Sequence, residues 1–336
     1  MPRPLREQVV VITGASSGIG RETALRLGQR GASLVLAARN AEALTSLARE
    51  IEQAGGQAHV VPTDVADWPQ VEKLAQAAVD RFGRIDTWIN NAGLYLAARV
   101  EDMTIDDAIR LMQVNVLGTI HGTKAALPHL IRQRQGTIIN VGSAVGARGT
   151  PLLAAYSASK FAVKGFTEAL RVELARDHPG IKVVLIMPLS INTPLFTNHA
   201  RSRLGFVPHP IPPIYEPGAV ADTILFAIEH PRADIYIGPG RPLAILNAAM
   251  PGLLDRLMLV RDLVFRAQHT DQADDGRDTF DAPMPTETYT TTGQFTAKAK
   301  PTSLYTRVLE HHPATRLALM GAALVAGWSL ARRLGR

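Results

Sequence analysis

Short apolar runs and amphipathic stretches alternate from residue 7 to about residue 245. Val9–Thr13 is a continuous apolar run ahead of a glycine-rich turn, and Arg21–Gln29 follows with helical spacing that Gly31 ends. The same alternation predicts strands at Ser33–Ala38, Ala58–Pro62, Thr87–Asn90, Thr137–Val141, Lys182–Met187 and Asp234–Ile237. Between them it predicts helices at Ala41–Ala54, Val71–Phe82, Ile105–Ile131 and Tyr156–Arg176. The strand runs are apolar throughout rather than alternating. That pattern belongs to a parallel sheet covered by helices on both faces. The expected fold is α/β and doubly wound, with any ligand at the carboxyl ends of the strands.

The pattern changes after residue 245. Residues 246–267 form an accessory segment in which Gly252–Ala267 reads as one apolar-rich helix. Residues 268–303 are rich in Thr, Asp, Pro and Ala without periodicity, and read as a disordered linker. Residues 304–336 end in Leu317–Leu330, an uncharged, mostly apolar helix flanked by Arg316 and Arg332-Arg333. A spanning helix needs about 20 residues, so this one is short. It can cross a thinned bilayer with its arginines snorkelling, lie in the interface, or dock on protein, and the sequence leaves all three open.

Composition narrows the class. Of 336 residues, 46% are apolar and 20% charged, which suits a folded domain with a large core. There is no cysteine, which excludes disulfides, thiol chemistry and cysteine-bound metal, and no metal is called for. The first strand begins at Val9, so no signal peptide is expected and the expected location is the cytoplasm, with membrane contact only through Leu317–Leu330. The net charge is +6 and the pI about 9.8. Lys and Arg are scattered with few aromatics between them, so nucleic acid is not an expected partner. A solvated basic surface with a site for an anionic cofactor fits better.

That site has a candidate. Thr13-Gly14-Ala15-Ser16-Ser17-Gly18-Ile19-Gly20 joins the first strand to the first helix. Glycines let the backbone turn tightly against a pyrophosphate, and the helix start offers free N–H groups to it. Three residues separate Gly14 from Gly18, and Asn90-Asn91-Ala92-Gly93, Asn115, Ser143 and Tyr156-x-x-x-Lys160 follow in order. Over residues 7–240 these motifs resemble the short-chain dehydrogenase/reductase family. The resemblance implies a Rossmann-type domain over residues 1–245, a nicotinamide cofactor, a small-molecule alcohol or carbonyl substrate, and a homo-oligomer built through Ile105–Ile131 and Tyr156–Arg176. It places Asp64-Val65 at the adenine and Asn91-Ala92-Gly93 along the ribose and nicotinamide. Asn115 would hold a water in a proton relay.

The second strand ends Ala37-Ala38-Arg39, without the acid that usually binds the ribose hydroxyls of NAD. An arginine there can pair with a 2′-phosphate, so NADP(H) is favoured over NAD(H). Tyr156 and Lys160 lie four apart on one helix face. An ammonium about 4 Å away is worth roughly 4 kcal/mol at an intermediate dielectric. Tyr156 is therefore expected to be lowered from its usual value near 10 by up to about three pH units and to act as general acid or base. Ser143 would hold the substrate oxygen.

The match weakens after the sixth main strand. Leu189 stands where the family has glycine, so the local path is expected to differ, although Ile191 and Thr193 still fit as carboxamide-side contacts. Phe196–Tyr215, with Pro208, Pro210, Pro212 and Pro213, reads as a stiff lid over a hydrophobic substrate. His199 and His209 within it are candidate proton donors or bystanders. The competing reading is a non-catalytic, cofactor-sensing or membrane-associated scaffold. Retention of both Tyr156 and Lys160 argues against it.

Overall fold

A computed structural model describes residues 3–196, 199–312 and 315. Seven parallel strands form the central sheet: β1 (Val9–Thr13), β2 (Ser33–Ala38), β3 (Gln57–Pro62), β4 (Thr87–Asn90), β5 (Gly136–Val141), β6 (Ile181–Pro188) and β7 (Asp234–Ile237). Their spatial order is 3-2-1-4-5-6-7, so the winding reverses between β1 and β4. This is the doubly wound parallel sheet of the Rossmann type. Successive residues of one strand serve opposite cores. Val11 joins Trp88, Ile138 and Val183 on one face, while Val10 and Ile12 join Ile89, Ile139 and Val184 on the other. Apolar residues at consecutive positions are thus a direct result of burial on both sides.

The helices are α1 (Gly18–Gln29), α2 (Ala41–Gln53), α3 (Trp68–Phe82), α4 (Ile105–Met112), α5 (Gly118–Gln133), α6 (Ala154–Asp177) and α7 (Pro217–Glu229). Local chemistry sets their ends. The Asn40 side chain accepts from the Ala43 N–H at 2.9 Å and starts α2. The Asp67 side chain accepts from the Gln70 N–H at 3.1 Å and starts α3, which ends at Gly83 with φ 77°.

One expected helix, Ile105–Ile131, is broken by a π turn at Gln113–Leu117 between α4 and α5. Such turns interrupt helices where function or packing demands it, and Asn115 sits inside this one. Gly122 then lets α5 close on β4. A Cβ at that position would fall 2.0 Å from Asn90 Oδ1.

A buried polar chain ties the sheet to its helices. Trp88 Nε1 donates to Asn90 Oδ1 at 2.7 Å, and Asn90 Nδ2 donates to Thr123 Oγ1 at 3.1 Å and Asn140 Oδ1 at 2.9 Å. Asn140 Nδ2 donates to Thr167 Oγ1 at 2.9 Å. The chain fixes β5 and α6, which carry Ser143 and Tyr156, relative to each other.

The C-terminal part departs from expectation. Residue 245 falls inside a helix, α8 (Gly240–Ala249), so it is no boundary. The expected helix Gly252–Ala267 is α9 (Pro251–Leu259) and α10 (Leu263–Gln268), separated where Arg261 and Asp262 adopt φ 51° and 54°. Residues 268–303 are a packed coil rather than a detached linker. Phe280 is fully buried, Asp278 and Asp281 pair with Arg201 at 2.8 and 2.7 Å, and the Lys300 N–H donates to the Ile214 carbonyl at 2.9 Å. A few isolated anchors hold this segment, so it needs no apolar period. Glu310, buried, accepts from Arg241 at 2.7 Å and docks the following turn on β7. Among the described residues no single helix is long and apolar enough to cross a membrane. Leu317–Leu330 lies outside the described residues.

Replacing Asn140 by Ala removes one buried hydrogen-bond partner from each of Asn90 and Thr167. The cost should be about 1–3 kcal/mol, read as a lower urea midpoint. An unchanged midpoint would show that the polar chain contributes nothing.

Candidate active site

The carboxyl ends of the strands open into one cleft. In spatial order across the sheet it passes Asp64-Val65 after β3, Arg39 after β2, Gly14 to Ile19 after β1, Asn91-Ala92-Gly93 after β4, Ser143 after β5, and Ile191 and Thr193 after β6. Tyr156 and Lys160 of α6 face the Ser143 end. Every candidate residue from the sequence lines this cleft except Gly20, Asn115 and His209. Gly20 acts one step behind it. A Cβ there would stand 2.2 Å from the Gly14 carbonyl oxygen, so it allows the turn to close. Asn115 is buried, with Oδ1 accepting from the Leu94 N–H at 2.7 Å and Nδ2 donating to Ser159 Oγ at 3.0 Å.

The glycine turn is tied to the far side of the switch point. Gly14 has φ 65°, and a Cβ would meet Ala92 Cα at 2.7 Å. Asn91 Nδ2 donates to the Thr13 and Gly14 carbonyls at 3.0 and 3.1 Å. Thr13 Oγ1 accepts from the Asn91 and Ala92 N–H groups at 3.1 and 3.2 Å. The turn after β1 and the loop after β4 therefore form one rigid unit.

The electrostatics of Tyr156 correct a sequence expectation. Burial pushes its hydroxyl up to about 12, opposed by a hydrogen bond with Ser143. The expected lowering by Lys160 does not follow, because the ammonium is 5.7 Å from the ring centroid and donates to the Val141 carbonyl at 3.1 Å. Burial lowers Lys160 to about 8. Desolvation disfavours the charged form of each, so it moves the two in opposite directions.

At the other end, Arg39 is half-buried and donates to the carbonyls of Thr279 and Phe280, the latter at 3.1 Å. Burial lowers its pKa. Asp64 accepts from Arg110 at 2.7 Å and from the Ala66 N–H at 2.9 Å, and although burial alone would raise it, these bonds leave its carboxyl below the usual range.

Leu189 creates no backbone strain. It is absent from the positive-φ residues, and its N–H donates to the Ile237 carbonyl at 3.2 Å. No glycine conformation is required there. His199 lines the cleft and is pushed down to about 4 by burial and then by Arg39, which keeps it neutral. His209 lies outside the cleft lining and packs on Phe295 at 4.8 Å between centroids.

Among the cleft residues that sequence reasoning missed are Tyr95, Thr279 and Tyr289. Tyr95 packs tilted against Tyr156 at 4.8 Å and edge-on against Phe196 at 5.0 Å between centroids, and burial raises its hydroxyl pKa. Its position two residues after Gly93 was the only available signal. Thr279 and Tyr289 come from the segment read as a linker, where no pattern marked them.

The family model for the short chain dehydrogenase matches residues 8–203. The chain belongs to this family and is an NAD(P)-dependent oxidoreductase. It is 40% identical over 341 aligned positions to the uncharacterized oxidoreductase YxnA of Bacillus subtilis, covering 98% of this chain and 92% of that protein. It is 37% identical to dehydrogenase/reductase SDR family member 7B of Bos taurus, covering 76% and 82%. Among solved structures, an alcohol dehydrogenase from Thermococcus sibiricus complexed with 5-hydroxy-NADP superposes with TM-score 0.60 at 26% identity, covering 68% of this chain and 95% of that one. A variant of actinorhodin polyketide ketoreductase with NADPH gives TM-score 0.55 at 36% identity, covering 58% and 74%.

The burial of Lys160 has a pH signature. Its folded value of about 8 lies below the ordinary 10.5, so between these values the unfolded chain binds more protons than the folded one. The penalty is complete below the folded value and is relieved as pH rises through the window. At about 1.4 kcal/mol per pH unit the relief is about 3 kcal/mol. Urea midpoints should rise across this window for the wild type and rise less for Lys160→Met. Equal slopes would contradict the burial of the ammonium.

Proposed function

We propose that this protein moves hydride between NADP(H) and an apolar alcohol or ketone, with Tyr156 as the proton donor and acceptor. The observation that carries the reading is the convergence of the Gly14–Gly20 turn, Ser143, Tyr156 and Lys160 at one cleft. A bound nicotinamide would supply or take the hydride. Ser16, Ser17 and the Ile19 N–H in the first turn of α1 suit the pyrophosphate, and Ile191 and Thr193 suit the carboxamide side.

The protein's own part is the proton. In reduction, Tyr156 Oη gives its proton to the carbonyl oxygen as that oxygen gains charge. In oxidation it takes the proton back. Ser143 Oγ holds the same oxygen. Lys160, still mostly protonated at neutral pH, offsets the cost of the tyrosinate. Burial nevertheless leaves Tyr156 at about 12, so a second positive charge is needed before it ionises near neutrality. The oxidised nicotinamide ring carries such a charge. Asn115, inside the π turn and bonded to Ser159, is assigned to hold the relay behind Lys160.

The NADP preference rests on Arg39, which lines the cleft where no acid competes at the end of β2. The solved relatives with 5-hydroxy-NADP and NADPH support it. Asp64 and Val65 suit the adenine, and Asn91 to Gly93 the ribose and nicotinamide. An apolar substrate is favoured by Tyr95, Leu153 and Phe196 around Tyr156. Exposed Ile105, Ile109 and Leu117, with Phe161 and Val172 on α6, support assembly of copies through these helices.

Tyr156→Phe should lower NADPH-dependent turnover of a lipophilic ketone by about 10²–10⁴-fold while NADPH still binds. Wild-type turnover in that variant would remove Tyr156 from the chemistry. Arg39→Ala should weaken NADPH relative to NADH on the order of 10- to 100-fold, the worth of a charge-assisted bond. Titration of both nucleotides by fluorescence gives the ratio, and an unchanged ratio would move the 2′-phosphate elsewhere.

A further inference from the structure

The coil from Asp278 to Lys300 runs along the open side of the cleft. At the β2 end, the Thr279 and Phe280 carbonyls accept from Arg39, and Asn40 Nδ2 donates to the Met284 carbonyl at 3.1 Å. At the glycine turn, the Gly18 N–H donates to the Thr290 carbonyl at 2.9 Å. At the β6 end, the Gly293 N–H donates to the Asn192 carbonyl at 3.2 Å and the Phe295 N–H to Asn192 Oδ1 at 3.0 Å. Beyond the cleft, Lys300 exchanges backbone bonds with Ile214 and Glu216, each 2.9 Å. In chain order the coil thus crosses the ends of β2, β1 and β6, the path a dinucleotide takes.

The coil roofs the cleft rather than filling it. Only Thr279 and Tyr289 of the coil line the cavity, which continues beneath them from Asp64 to Ile191. Tyr289 is held by its ring against His199 at 4.9 Å, and its hydroxyl accepts from the Met284 N–H at 3.1 Å. One side chain clamps the coil from outside the cavity. Arg201 donates to Asp278 at 2.8 Å and to Asp281 at 2.7 Å, and its guanidinium lies 4.4 Å from the Phe280 ring centroid. Arg201 also donates to Asp107 at 2.8 Å, which anchors the clamp in the main domain. Gly293 permits the close approach at the other end. A Cβ there would stand 2.6 Å from the Thr193 carbonyl oxygen and 2.9 Å from Asn192 Oδ1.

We propose that this coil is the outer wall of the dinucleotide site, with Thr279 and Tyr289 lying over bound NADP(H) and Arg201 holding the wall shut. The inference rests on the NADP(H) reading of the cleft. A ligand enclosed this way leaves only when the wall lifts, so the wall acts on dissociation more than on association. Arg201 is a positioning residue, since it does not line the cavity.

Two full-length variants test this. Asp278→Asn with Asp281→Asn releases the clamp while leaving Arg201 paired with Asp107. Gly293→Val lifts the wall at the β6 end. NADPH is bound, then chased with excess NADP⁺, and its fluorescence is followed. Both variants should release NADPH faster by about tenfold or more, which corresponds to roughly 1.4 kcal/mol, with association unchanged or faster. Circular dichroism identifies a variant that fails to fold, and the aspartate pair then decides the outcome alone. Release at the wild-type rate from a folded aspartate variant would overturn the wall while leaving the cofactor reading intact. Tighter binding by that variant would also overturn it and make the coil a competitor for the cleft. If the wild type binds no NADPH, the cofactor reading falls and the wall falls with it.

Discussion

Both faces of the seven-stranded sheet are covered, and this constraint decides where anything polar can happen. Residues of β1 alternate between two cores and are buried on each side. The inner strands β1, β4 and β5 cannot present a reactive group from their faces. Chemistry is confined to the carboxyl ends, and the reversal between β1 and β4 opens the gap there. Asn91 and Thr13 then lock the two sides of that gap together. The Asn90–Asn140–Thr167 chain carries the same rigidity to β5 and α6. Ser143, Tyr156 and Lys160 inherit their positions from this frame.

The same burial sets the chemistry of the pair on α6. It raises Tyr156 to about 12 and lowers Lys160 to about 8. A reading that counts only the attraction between them gets the sign of the tyrosine shift wrong. Desolvation keeps Tyr156 protonated until positive charge accumulates beside it. On the proposed mechanism it would then be a proton donor by default and a base only when the charge is in place.

Much of this was legible in the sequence. The strands were, because burial on both faces leaves continuous apolar runs. The cleft residues were, because Gly14, Asn91, Ser143 and Tyr156 each follow a strand or open a helix at a fixed spacing. Three features were not. The π turn at Gln113–Leu117 keeps a helical period on both sides and leaves no mark. The break at Arg261 and Asp262 uses non-glycine residues in left-handed conformations, which no propensity predicts. The coil over the cleft is held by backbone carbonyls and a few anchors such as Phe280 and Asp278, so its composition resembles that of a linker.

The account turns on whether cofactor charge, added to that of Lys160, brings Tyr156 down from its buried value. Ultraviolet difference absorbance follows tyrosinate as pH rises, and subtraction of Tyr156→Phe isolates the one residue. With NADP⁺ bound, the Tyr156 signal should appear at lower pH than with NADPH bound, whose ring is neutral. In Lys160→Met the NADP⁺ signal should move back up. A Tyr156 signal at the same pH with either nucleotide, and unmoved in Lys160→Met, would contradict the account.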